Sequence, residues 1–139
     1  MSDLRLRRTL VEEMKAHARA AAPEECCGLV GGRAGEAGSV YQLRNASDAP
    51  AVAYDVAPEE LFDAQRLMRA RGETLVAVYH SHPRSAEPAP STTDVRLAFY
   101  PSAIYFIIGF DAAGECVLRA FRIFEREGRF ERATFEVVE

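Results

Sequence analysis

The chain is expected to fold as an α/β or α+β domain spanning residues 1–139. Three observations predict this. Two segments, 9–21 and 58–71, place apolar residues three and four apart, as an amphipathic helix does. Two others, 75–79 and 103–108, are unbroken apolar runs of strand length. These helical and strand-like segments are interleaved, with no linker, repeat or low-complexity stretch between them.

Taken in order, Leu4 and Leu6 alternate with Asp3, Arg5 and Arg7, which suggests a short first strand. Thr9-Leu10-Val11-Glu12 has the spacing of a capping box, so a helix is expected from Thr9 to about Ala21, with Pro23 ending it. His17 on this helix reads as a partly buried packing residue. Residues 26–32 form the next strand. Gly31, Gly32, Gly35 and Gly38 suggest a hairpin turn, with residues 39–44 returning. These glycines match neither G-x-G-x-x-G nor a Walker pattern, so no phosphate loop is expected. Residues 45–57 are small and polar, as in a loop. Pro58, Glu59 and Glu60 suit the first turn of a second helix, and Gly72 its end. A third helix is expected from Ser91 to about Tyr100. The apolar strand 103–108, a turn at 111–114, and a hairpin of 116–125 with 129–138 around Glu127-Gly128 complete the chain.

The chemistry concentrates in His80-Ser81-His82-Pro83 and Ser91-Thr92-Thr93-Asp94. Side chains alternate along a strand, so His80 and His82 share a face at the end of the 75–79 run, and Ser81 points away. Two imidazoles so placed can bind a divalent metal, and Asp94 could supply a third ligand. Three protein ligands with one open position describe a catalytic zinc site. They also describe a non-haem Fe(II) site. A zinc deaminase would need H-x-E and P-C-x-x-C, which are absent. Ser91 to Asp94 reads equally as a helix cap.

The pattern H-x-H-P, seven residues, then S-x-x-D resembles the signature of the JAMM (MPN-plus) zinc metalloproteases at His80, His82, Pro83, Ser91 and Asp94. A second segment, Pro23-Glu24-Glu25-Cys26-Cys27-Gly28, resembles the family's upstream P-x-E-x-C-G-like element more than fifty residues earlier. The resemblance covers nearly the whole chain and is closest to small bacterial members. It implies a curved mixed β-sheet with packed helices, cytidine-deaminase-like in layout. It implies one Zn²⁺ held by His80, His82 and Asp94. Glu25 would be the general base, with Glu24 the neighbour most easily mistaken for it, and Ser91 the donor that stabilises the oxyanion. The implied reaction is hydrolysis of a peptide or isopeptide bond after the C-terminal Gly-Gly of a ubiquitin-like β-grasp sulfur-carrier protein. A non-catalytic scaffold and a general small-peptide peptidase remain open as alternatives.

Composition bounds the partners. The net charge of −4 argues against nucleic acid, and the arginines at 5, 7, 8, 66, 69 and 71 read as solvated faces. No apolar run reaches membrane-spanning length, and the N-terminus lacks the apolar core of a signal peptide, so a cytoplasmic protein is expected. Three cysteines without a C-x-x-C pair argue against a disulfide framework, and Cys27 reads as a packing residue rather than a nucleophile.

Overall fold

The computed structural model describes residues 2–139; Met1, where the expected domain begins, lies outside them. The elements are β1 (Leu4–Arg7), α1 (Arg8–Ala21), β2 (Cys27–Arg33), β3 (Glu36–Leu43), α2 (Pro58–Ala70), β4 (Thr74–Ser81), α3 (Thr92–Arg96), β5 (Ile104–Phe110), β6 (Cys116–Phe124), β7 (Arg129–Arg132) and β8 (Phe135–Val138). All eight strands join one mixed sheet in the order β7-β6-β5-β4-β2-β3-β1-β8.

The last segment shows why the sheet is curved. One hairpin over 116–138 was the expectation, but its second arm divides. β7 pairs antiparallel with β6 at one edge. After Ala133 and Thr134, β8 pairs parallel with β1 at the opposite edge, from Leu4↔Phe135 to Arg7↔Val138. Two residues can join opposite edges only if the sheet curls until those edges meet. Asp3 fastens the seam: its carboxylate accepts from Thr134 N at 2.8 Å and from the Arg122 guanidinium of β6 at 3.0 Å.

β5 is buried along nearly its whole length, as the apolar run requires. Its side chains divide by the two-residue period of a strand. Phe106 and Ile108 pack with Leu6, Leu10 and Met14 beneath α1. Tyr105 and Ile107 pack with Met68 of α2 and Val95 of α3 on the other face. The helices therefore cover both faces of the sheet, which is the α/β arrangement.

Three other expectations are corrected. Thr9 does not cap α1; the helix starts one residue earlier, with extended Arg7 as N-cap and no side-chain cap. β1 runs straight into the helix, so Arg7 already has the backbone an N-cap needs. The β2–β3 turn is confined to Ala34 and Gly35, both at positive φ, and β3 begins at Glu36 rather than Ser39. Gly31 and Gly38 lie within the strands, where they make room for Glu73: a Cβ on either would come within 2.6 Å of its carboxylate oxygens. That carboxylate instead accepts from Ser39 Oγ and Tyr41 OH. Finally, α3 ends at Arg96, not near Tyr100. The Tyr100 amide donates to Tyr105 OH rather than to a helical carbonyl.

Among the described residues, no helix is long and apolar enough to cross a membrane. His17 is half-buried with its Nδ1 2.7 Å from Tyr79 OH, and burial lowers its pKa. It is a packing residue, as expected.

Candidate active site

The site forms where β4 ends, next to β2 on one side and β5 on the other. The antiparallel β2–β4 register pairs Cys27 with His80. It continues past the ladder: Ser81 N donates to Cys26 O, and Cys26 N donates to Ser81 Oγ at 2.8 Å. One step further places Glu25 across from His82, so a segment remote in sequence arrives at the imidazoles through strand pairing. Ser81 is structural, on the opposite side from the histidines as alternation requires.

Glu25, not Glu24, turns inward: it is 8% exposed, whereas Glu24 faces solvent. Its backbone is clamped by the 45–57 loop. Glu25 N donates to Pro50 O at 2.7 Å, and Asn45 Nδ2 donates to Glu25 O at 3.0 Å. Asn45 also donates to Ala53 O and accepts from the amides of Ser47 and Asp55. One amide side chain thus sets both the Glu25 backbone and the loop beside it.

Ser91 and Asp94 form the expected capping box at the start of α3. Asp94 N donates to Ser91 Oγ at 3.0 Å, and Ser91 N donates to Asp94 Oδ2 at 2.9 Å. The cap fixes the rotamer of Asp94. Oδ2 lies 3.1 Å from His80 Nε2 and 3.0 Å from His82 Nε2, and the two nitrogens are 3.0 Å apart. The Glu25 carboxylate with His80 and His82 forms a looser cluster, its ligand atoms within 4.8 Å of one another. Glu25, His82, Ser91 and Asp94 line one cavity of about 580 Å³, and His80 sits behind it, 1% exposed.

The tighter triangle has the dimensions of a metal site. Bonds of about 2.0–2.1 Å to a tetrahedral zinc ion place neighbouring ligand atoms roughly 3.3–3.4 Å apart. The three atoms here are within a few tenths of an ångström of that edge. The electrostatics agree. Burial alone would raise the pKa of Asp94, but its contacts with both imidazoles and the Ser91 amide hold it well below the usual carboxylate range. Burial pushes His80 towards its neutral, lone-pair-bearing form. For Glu25 burial dominates: its pKa rises to about 7, opposed by the nearby His82 charge and reinforced by Asp94. Burial raises the Cys27 thiol to about 12, which makes it a poor nucleophile at neutral pH.

Two residues at the site had no assigned role in the sequence. The Tyr54 ring packs on His80 with centroids 4.7 Å apart, from a loop without periodicity to signal it. Arg84, inside the H-x-H-P segment's own turn, lines the cavity. Two histidines and a carboxylate around one point, open to a cavity and faced by a buried glutamate of raised pKa, are the parts of a metal-dependent hydrolase.

Comparison with known proteins narrows that class to one family. The chain belongs to the prokaryotic homologues of the JAB domain, whose profile matches residues 7–124. This is the relationship that the H-x-H-P…S-x-x-D and upstream glutamate segments indicate. The chain is 35% identical over 120 residues to the CysO-cysteine peptidase of Mycobacterium tuberculosis, covering 85% of this chain and 81% of the relative. It is 39% identical over 105 residues to a probable TtuB-protein conjugate cleaving protease of Thermus thermophilus, covering 75% and 68%. A solution structure of a Desulfitobacterium hafniense protein superposes with a TM-score of 0.84 at 35% identity, covering 98% of this chain and 93% of the other.

Proposed function

We propose that this chain is a zinc metallopeptidase, a single cytoplasmic domain, that hydrolyses the peptide or isopeptide bond after the C-terminal Gly-Gly of a ubiquitin-like sulfur-carrier protein. The observation that carries the reading is the triangle of His80 Nε2, His82 Nε2 and Asp94 Oδ2, with sides of 3.0–3.1 Å, beside the buried Glu25.

His80, His82 and Asp94 would hold the ion through those three atoms. When bound, zinc supplies Lewis acidity towards the scissile carbonyl and makes hydroxide available near neutral pH. The chain's own residues do the rest. The Glu25 carboxylate takes a proton from the attacking water and returns it to the departing amine. Burial makes this carboxylate more basic than an ordinary glutamate, with a pKa of about 7 in the metal-free chain, which favours a role as proton acceptor. Ser91 Oγ accepts the Asp94 amide through one lone pair. Its hydroxyl proton is left to donate to the oxyanion that develops on the carbonyl oxygen. Tyr54 closes the inner side of the site by packing on His80.

The substrate reading is supported by the relatives' names, one a peptidase of a cysteine adduct and the other a protease of protein conjugates. It is also supported by the shape of the cavity mouth. The exposed side chains of Val52, Leu97 and Phe99 line it. An extended, nearly side-chain-free tail can lie along such an apolar lip. The deciding experiment incubates the zinc-loaded protein with carrier–cysteine and carrier–lysine conjugates. Release that stops on chelation and resumes with zinc is the expected result; release indifferent to chelation rules out the mechanism.

Ser91 provides a separate test because its two roles differ in magnitude. S91A is expected to lower kcat by about 100- to 1,000-fold. Loss of the cap alone would cost about 1 kcal/mol of stability and leave turnover nearly intact. Parallel melting curves and single-turnover rates distinguish the two.

A further inference from the structure

We propose that Arg84 is the specificity residue of this cavity: it receives the α-carboxylate of a C-terminal amino acid attached to the carrier's last glycine. On this inference, which rests on the function proposed above, the chain releases a single amino acid in preference to opening isopeptide bonds.

Carboxylates dominate the charged part of the cavity lining, with Glu25, Asp55 and Asp94, and Arg84 is its one permanent cation. Unlike Arg5, Arg8, Arg66, Arg122 and Arg129, and like the chain's other arginines, Arg84 lies within ion-pair distance of no acidic side chain among the described residues; what sets it apart is its place in the cavity lining. It is exposed, lies two residues beyond His82, and faces the space that a substrate at His82 and Asp94 would share.

The root of this arginine is held on every side. Ser85 N donates to His82 O at 3.0 Å, closing a turn with Pro83 and Arg84 at its centre, and the proline ring fixes φ there. His82 N donates to Ile108 O at 2.8 Å, and Phe110 N donates to Ser85 O at 2.9 Å, so both ends of the turn are bonded to β5. Between those bonds lies Gly109, where a Cβ would come 2.1 Å from Ser85 O. The missing side chain lets the turn sit directly on the strand. A cation that springs from such a support loses less freedom on binding an anion than one on a loose loop.

The chemistry of the two substrate kinds differs where Arg84 stands. Hydrolysis breaks the amide C–N bond; the carbonyl carbon gains the water oxygen and becomes the glycine carboxylate, and the nitrogen takes up the proton and departs as an amine. When that amine belongs to a C-terminal amino acid, a free carboxylate lies two bonds from the nitrogen. When it is a lysine side chain, the nearest carboxyl is far along the stem and tied up in a peptide bond. A guanidinium beside the reaction centre favours the first.

The test uses a ubiquitin-like carrier ligated to cysteine in two forms, free acid and carboxamide, with zinc-loaded native protein, R84Q and R84K. The native protein is expected to prefer the acid by about 10- to 100-fold in kcat/KM, the worth of one charge-assisted bond. In R84Q that ratio is expected to fall to about 1, and R84K should retain much of it. A native ratio near 1, or a ratio unchanged in R84Q, overturns the assignment while leaving the hydrolase standing. If the native protein opens a carrier–lysine isopeptide bond but cleaves neither form, the assignment is overturned; if it cleaves none of the three, the functional reading itself has failed. Calorimetric binding of the two forms to E25Q and to E25Q/R84Q then decides the role of Arg84. Tighter binding of the acid that disappears with R84Q supports it; equal affinities, or no binding, overturn it.

Discussion

Glu25→Gln is expected to abolish hydrolysis and, in the metal-free protein, to raise stability at pH 8. Both effects come from the same burial. Removing a general base typically costs about 100- to 10,000-fold in rate, and Gln at this position can hydrogen-bond the water but cannot accept its proton. The stability effect follows from the pKa, which is 4.5 for an ordinary glutamate and about 7 for Glu25 in the folded chain. Because the folded value is raised, the neutral carboxyl is the form the fold tolerates. Its contribution is fully present below about pH 4.5 and is lost as pH rises through 7. By pH 8 the buried carboxylate costs about 3 kcal/mol relative to a neutral group. Gln avoids that cost, so the melting temperature of metal-free E25Q should exceed that of native protein at pH 8 and match it near pH 4. kcat/KM of the zinc-loaded proteins checks the loss of hydrolysis, and melting curves of the metal-free proteins at the two pH values check the gain in stability. A variant that keeps its activity would show that Glu25 is not the base, and one that gains no stability at pH 8 would show that Glu25 is not held in a desolvated position. The expected trade, stability gained for function lost, is what a desolvated group with the proposed catalytic role should show.

The parts of the site that were legible in the sequence are those that local rules place. Alternation along a strand puts His80 and His82 on one face and turns Ser81 away. The capping box fixes Asp94. Glu25 is different: nothing in its own neighbourhood marks it, and only the family resemblance pointed to it. What brings it in is the β2–β4 register, a pairing across more than fifty residues. The errors have the same origin. The split of the last strand depends on β8 meeting β1 at the far edge, and no local pattern in residues 129–138 encodes which edge a strand joins. The apolar spacing predicts a longer α3 because Leu97 and Phe99 continue it, yet both are more than half exposed, at 52% and 68%. They stand on the lip of the cavity, so the helical pattern failed where an apolar surface serves a site rather than a core. Tyr54 and the Asn45 hub were silent because their roles arise from a loop folding onto a strand it does not adjoin in sequence.

Asp94→Asn is expected to leave the fold nearly intact and to remove zinc binding. Asp94 does two things through one oxygen: Oδ2 accepts the Ser91 amide and also faces both imidazoles. Asparagine is nearly the same size and keeps a carbonyl oxygen that can still accept from Ser91, so the cap survives and stability should change by about 1 kcal/mol or less. What it cannot keep is the charge. A ligand set of two neutral imidazoles and one amide lacks the anion that balances a divalent ion. The affinity loss should exceed the roughly 10- to 100-fold that follows removal of an outer partner of a ligand. For native protein, zinc at a hundred times its dissociation constant stabilises by about 2.7 kcal/mol. In D94N that upward shift in melting temperature should vanish, and chelator-sensitive hydrolysis with it. E25Q should behave oppositely, binding zinc while losing turnover. The comparison matters because the structure offers two carboxylates to the same imidazoles, one at 3.0–3.1 Å and the other within a 4.8 Å cluster. If E25Q loses the zinc-induced shift and D94N keeps it, the assignments are reversed: Glu25 holds the ion, and Asp94 is only the cap of a five-residue helix.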